Sequence, residues 1–472
     1  MADSSFKDDS VLISGPSFHV DLAGLDAFHP VHYSNRLMIF HCTSSEQRDA
    51  QLSALKVGLQ GLVHRCPMLG GIVVPLPPDE AKDGKEDWRT IVPDKGIELV
   101  VRDLRTKMPS FEEIQAAEFP ASKLPYDLLT TVPLGIGNDR PYAAFKVQYS
   151  AIEGGAILTI SISHSVRDGA GTNELTRVLA EETRRAQASS DDSTSNEVLP
   201  GPETMLDRSA LRNLENKTPF NIKDHPAYLW PPPLDLTKPL ETPPHPFETT
   251  STEISVLLHI SSAKLEKLKA DATTQNAPFI STHDALATLI WRSILLIRSR
   301  RSPTAQNLPP STIGTVFFPS DARRHLKLTD SYIGNCVYQL TATLSLGELF
   351  APAGLKRGAS AIRSAITAVT PEKVASLLAV TNERWPGWGF MESYASTGVA
   401  MGTDWTSGML YSMDWGEAFG PLVRYRYPGV DGGAGCCILP KLPDGSAEVL
   451  VGVLPEEERM LRSEECFGRY II

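Results

Sequence analysis

The residues best placed to do chemistry lie in the stretch TISISHSVRDGAGTNELTRVL, residues 159–179. Leu158, Ile160 and Ile162 share one face of an alternating strand, and His164 continues that face at the strand end. Asp168 and Gly169 follow. Neutral imidazole is the usual general base for a hydroxyl or amine near neutral pH. A histidine on an apolar strand face is commonly a hydrogen-bonded interior residue. Here the strand stops at the ring, so His164 can project into a cleft. Asp168 has two open roles. It can orient the imidazole as in a triad, or turn away and pair with an arginine that fixes the loop. Gly169 and Gly171 allow a tight turn and a close backbone approach. No G-x-S-x-G elbow occurs, which argues against that class of serine hydrolase. His225, His245 and His283 have no metal-site spacing, so no metal is expected. GVDGGAGC, residues 429–436, reads as a turn and not as a dinucleotide loop.

The surrounding elements follow from periodicity. YAAFKVQY and AILTISIS form two strands joined by a glycine turn at IEGG. After DGAG a helix carries Leu175, Val178 and Leu179 as its stripe, with Thr172 or Asn173 as the expected cap. Residues 46–66 place Leu52, Leu55, Leu59, Leu62 and Val63 on one helix face, and Pro67 ends it. Residues 187–250 are polar and then proline-rich, an extended connector. Beyond it come the strand TEISVLLHI, a polar helix at 262–272, and a second helix capped by Ser281 or Thr282. The strands within 312–326 and 332–346, a hairpin turning at PDG and a short terminal helix complete the chain. The expected division is 1–200, a connector over 201–250, and 251–472.

The chain has 472 residues and a formal net charge of -11. It has no long basic block, which argues against a nucleic-acid partner. Its start, MADSSFKDDS, lacks the pattern of a secretory leader. Its apolar runs are too short to span a bilayer, so no membrane role is expected. Six scattered cysteines form no C-x-x-C pair, which fits a reducing, cytoplasmic setting.

His-x-x-x-Asp-Gly after a strand resembles the motif of the BAHD acyltransferases and their fungal relatives of the trichothecene 3-O-acetyltransferase type. Other segments are similar to that family in the same order: LAGLDAFHPVHY, CPMLGG, STHDALATLIWR, SDARRHL, YIGN and MDWGEAFGP. In the last, Asp414, Gly416, Gly420 and Pro421 fit, Trp415 replaces the usual Phe, and Ala418 stands where a second Gly often lies. The resemblance covers about residues 20–470.

The resemblance implies an α/β fold of two chloramphenicol-acetyltransferase-like domains. Each would be a mixed sheet with flanking helices, with the active-site channel at their interface. It implies acyl-CoA, acetyl-CoA by default, as co-substrate, no bound cofactor, and a small fungal metabolite alcohol or amine as acceptor. His164 is then the general base in a ternary complex, without an acyl-enzyme. Asp168, beside Gly169, is implied to be structural and paired with Arg323. Asp414, Trp415 and Gly416 are implied to form a loop on the CoA side. Thr403 and Trp405 keep a Thr-x-Trp spacing of eleven residues to Asp414, which implies an oxyanion donor and a channel-lining ring. Trp385, Trp388, Phe390 and Tyr394 belong to the core or line the acceptor pocket. A monomer is expected. The alternatives are a free-standing condensation or cyclisation catalyst of the same fold, and a ligand-binding member without chemistry. The first is disfavoured by Ser163, where condensation domains usually carry a second histidine.

Overall fold

The computed structural model describes residues 7–27, 32–81, 85, 88–133, 141–188, 198–214, 219–228, 253–275, 278–301, 303–383, 397–402, 409–429 and 435–471. Thr403, Trp405 and the aromatic group Trp385, Trp388, Phe390 and Tyr394 lie outside these residues.

The first half is built on a mixed six-stranded sheet. Its order is Asp9–Ile13, Ile97–Asp103, Phe145–Ile152, Gly155–Ser163, Tyr33–His41 and Arg424–Arg426. The pair Ile97–Asp103 and Phe145–Ile152 runs parallel, and the other neighbours run antiparallel. Gly155–Ser163 is buried along its whole length because strands flank it on both edges and side chains cover both faces. On one face Met38, Phe40, Leu158 and Ile160 meet Leu55, Leu59, Leu62, Leu175 and Val178 of the helices Ser45–Arg65 and Gly169–Arg185. On the other, Leu37, Ile39 and Ile157 meet Phe111 and Phe119. Ser44 caps the Ser45–Arg65 helix by accepting from the Gln47 N–H, and Cys66-Pro67 stops it.

The expected cap of the helix after DGAG is corrected. The helix begins at Gly169, and Asp168 caps it by accepting from the Gly171 N–H. Thr172 lies inside the first turn, its hydroxyl donating to the Asp168 carbonyl. A carboxylate at the strand end reaches the orphan amides first, and the glycines allow the helix to start that early.

In the second half, two three-stranded sheets meet edge to edge. One has the order Val337–Ser345, Ile313–Asp321, Gly398–Ala400, and the other Cys436–Ile438, Ala447–Val453, Ile254–Ile260. A parallel bridge between Met401 and Cys436 joins them. Helices Ser262–Ala272, Thr282–Arg298 and Gly354–Thr367 bury Leu268, Trp291, Leu295 and Ile362 against this layer. A capping box of Ser281 and Asp284 starts the central one. Part of the stretch that reads as an extended connector is folded: Pro202–Met205 and Ser209–Arg212 are short helices. Met205 joins the first-half core and Leu211 the second.

Candidate active site

His164 leaves the sheet where two neighbouring strands end. Its backbone N–H donates to the His32 carbonyl at 3.1 Å, which carries the ladder one pair beyond Tyr33 and Ser163. The ring is half-buried, while Ser163 and Ser165 beside it are buried.

One residue of the second half orients the imidazole. Asn335 places its Oδ1 3.2 Å from His164 Nδ1. The Asn335 Nδ2 group donates to the His164 carbonyl at 2.7 Å and to Asp26 Oδ1 at 2.8 Å. With Nδ2 committed to two acceptors, Oδ1 must be the atom that meets the ring. The hydrogen-bond pattern therefore puts the proton of the neutral ring on Nδ1, which makes Nε2 the proton-accepting nitrogen.

Asn335 is itself fixed from behind. Its backbone N–H donates to Asp26 Oδ1 at 2.7 Å. Asp26 is fully buried and pairs with the equally buried Arg208 at 3.3 Å. Burial pushes the Asp26 carboxyl up, and Arg208 and Asn335 pull it back. Arg208 also donates to the Met205 and Val166 carbonyls. The folded part of the connector is thereby tied to the loop that presents His164.

Asp168 and Arg323 form a bidentate pair at 2.8 and 2.9 Å, both only 2% exposed at the side chain. The same guanidinium donates to the Tyr332 and Gly334 carbonyls, and Asp168 Oδ2 accepts from the Cys336 N–H at 2.8 Å. Burial works against the Arg323 charge, but Asp168 and Asp321 outweigh it and hold the guanidinium above its ordinary range. The pair thus grips both sides of Asn335. A Cβ on Gly171 would strike the Ile333 carbonyl, so this close approach requires glycine. Gly169 is half-buried in the same turn, its carbonyl accepting from Arg36.

Asp414, Trp415 and Gly416 sit on the first half. Trp415 is buried between Phe40 and Phe419, with centroids 5.5 and 5.8 Å away. Asp414 is exposed and accepts from the Gly416 N–H. Gln187, just past the Gly169–Arg185 helix, donates to the Trp415 carbonyl and accepts from the Ala418 N–H, both at 2.8 Å. Gln47 and Gln51 each donate to the Ala418 carbonyl at 3.0 Å. The described contacts make this segment a plug that locks residues 415–418 onto the first-half helices.

Sequence reasoning assigned no role to Asn335, Asp26 or Arg208. The first two stood inside YIGN and LAGLDAFHP, where the signal was a polar side chain in an otherwise apolar segment. Arg208 had no signal, because the ring of contacts closes only in three dimensions. Among the described residues no three His, Cys, Asp or Glu side chains are grouped to hold a metal ion. No helix there is long and apolar enough to cross a membrane.

The chain is similar to known proteins in sequence and in fold. Residues 33–182 match the trichothecene 3-O-acetyltransferase-like N-terminal domain. The chain is 28% identical to the enoyl-CoA isomerase/hydratase of Penicillium crustosum, over 98% of this chain but 52% of that protein. It is 25% identical to the eremophilane O-acetyltransferase of Penicillium rubens, over 96% of this chain and 98% of that protein. Its fold matches F. graminearum TRI101 complexed with coenzyme A and deoxynivalenol, with a TM-score of 0.78 at 20% identity, covering 96% of this chain and 99% of that one.

Proposed function

The chain belongs to the fungal, trichothecene 3-O-acetyltransferase-like branch of the BAHD CoA-dependent acyltransferases, and from that premise we propose that it moves an acyl group, acetyl by default, from acyl-CoA to a hydroxyl or amine of a small fungal metabolite. The observation that carries the mechanism is the Asn335 contact, which turns Nδ1 inward and makes Nε2 the base. Nε2 takes the acceptor proton as the acceptor oxygen or nitrogen attacks the thioester carbonyl. The tetrahedral intermediate collapses, the carbon–sulfur bond breaks, and the imidazolium returns its proton to the leaving thiolate. No side-chain nucleophile takes part.

His164 meets Asn335 where the two halves join, so donor and acceptor would meet in a channel there. Thr403 is the proposed oxyanion donor and Trp405 a proposed lining ring. Asp168 and Arg323 act by geometry. Asp414, Trp415 and Gly416 are the proposed loop that shapes the CoA side from outside the reaction centre. The proposed division of the chain is 1–200, 201–250 and 251–472, and the proposed state is a cytoplasmic monomer. The six cysteines are present as thiols, five of them buried, which suits a reducing compartment.

The test is CoA release from acetyl-CoA with a panel of fungal alcohols and amines. His164→Ala should lower activity by about 100-fold or more, the scale of a lost general base, while CoA binding survives. Near-full activity in that variant would sink the mechanism. Turnover only with a carrier-bound donor would instead identify a condensation catalyst.

A further inference from the structure

His164 faces a second histidine. The strand register pairs Tyr33 with Ser163, so His32 is the next cross-strand partner, and the His164 N–H bonds to its carbonyl at 3.1 Å. Directly opposed residues of an antiparallel pair emerge on the same face, within reach of each other. The two rings lie 4.8 Å apart, centroid to centroid, with their planes inclined at 45°. His32 is exposed and His164 half-buried. The condensation-type alternative lacks its second histidine in the sequence at Ser163, yet a second ring stands here, brought by a different strand.

We propose that His32 is a positioning residue whose charge keeps His164 unprotonated, and so competent as a base, in mildly acidic conditions. This rests on the reading of His164 as the base.

The exposed ring gains a proton at lower desolvation cost, so His32 protonates first. A second proton on His164 then meets a like charge at short range. At that separation the repulsion lowers the midpoint of the second ring by about half a unit to two units, depending on how wet the site is. Added salt weakens the effect, because one partner is exposed.

Among the other ionisable groups on the surrounding elements, the carboxylates are ion-paired and burial keeps the phenols and the thiol neutral. Asp26 is offset by Arg208, and Asp168 by Arg323, which also meets Asp321. Burial pushes Tyr33, Tyr332 and Cys336 up, so all three stay neutral. Burial and Arg36 bring Arg167 down to about 9, so its guanidinium stays charged near neutral pH. Tyr142 packs edge-on against Tyr33.

The decisive experiment is an NMR titration of the histidine rings in the intact chain between about pH 5 and 8. His164→Ala and the His32 variants assign the two signals. In His32→Gln the His164 midpoint should rise by about half a unit to two units. In His32→Arg it should stay at or below the wild-type value. Raising salt to about 1 M should narrow the difference between wild type and His32→Gln. A midpoint that moves in neither variant, or that falls in His32→Gln, overturns the proposal. His32→Asn replaces His32→Gln if a thermal melt shows that variant to be damaged. This readout needs no acceptor. CoA release from acetyl-CoA with the alcohol panel separates the two ideas. If His164→Ala remains active, the base reading fails whatever the titration shows. If it is inactive while the midpoints do not move, only the role of His32 fails.

Discussion

Asn335 meets His164 twice, its Oδ1 3.2 Å from the ring Nδ1 and its Nδ2 2.7 Å from the backbone carbonyl. A single amide from the second half therefore sets both the ring tautomer and the position of the strand end that carries it. Asn335→Ala should lower kcat on the order of 100-fold, the lower end of what general-base catalysis contributes. KM for acetyl-CoA should change little, since no bond to the donor is removed. Steady-state kinetics with any accepted alcohol checks this, and an unchanged kcat would detach Asn335 from the base.

The Asp168–Arg323 pair should behave as an energetic unit. Arg323→Met leaves a buried carboxylate without its main partner and should cost about 3–5 kcal/mol. Combining it with Asp168→Asn should recover part of that loss, because the uncompensated charge is gone. Urea unfolding of the two single variants and the double variant measures the coupling. A double variant no more stable than Arg323→Met would show that the pair stores no such energy.

Gly416 has φ of +82°, and a Cβ there would collide with the Gln187 amide. Gly416→Ala should destabilise by about 1–2 kcal/mol from the backbone alone, and by more if Gln187 is displaced. Gln187→Ala should cost less, because it loses hydrogen bonds but strains no backbone. Thermal denaturation ranks the two, and the reverse order would count against the plug described here.

His225 is buried, with Nδ1 2.8 Å from the Tyr338 hydroxyl and Nε2 3.2 Å from the Ser376 hydroxyl. Burial lowers its pKa from 6.5 to about 4. The unfolded chain then binds more protons than the folded one between those values, so stability falls as pH drops through that window. His225→Gln should melt lower than wild type at neutral pH yet lose less on acidification. Melting curves at several pH values test this; parallel acid slopes for the two proteins would contradict it.

Much of the site was legible because chemistry and periodicity coincided. The run ending at His164 showed a strand with a ring at its tip, whereas Arg323 as the partner of Asp168 was implied only by the family resemblance of SDARRHL. The helix Gly354–Thr367 was not legible: Gly358 lets it pack close to Thr288, and it carries few large apolar residues. His32 and Asp26 were missed for another reason. Their partners lie 132 and 309 residues away in the chain, and only strand register and tertiary closure bring them together. Asp168 was read for its side-chain pairing alone, and its simultaneous work as a helix cap was assigned to Thr172 or Asn173.

The strand Arg424–Arg426 pairs with Tyr33–His41, and Trp415 fills the space beside Phe40. On the ribosome those pieces come late. Trp415 follows Arg185 by 230 residues, which takes roughly 10 to 50 seconds to translate. During that interval the nascent first half carries an unpaired strand edge and an open hydrophobic slot, both of which invite association with other chains. The emerging polypeptide is therefore a natural client for chaperones until residues 415–426 are released. Errors in that closing step should show as aggregation during synthesis, with the finished molecule unaffected.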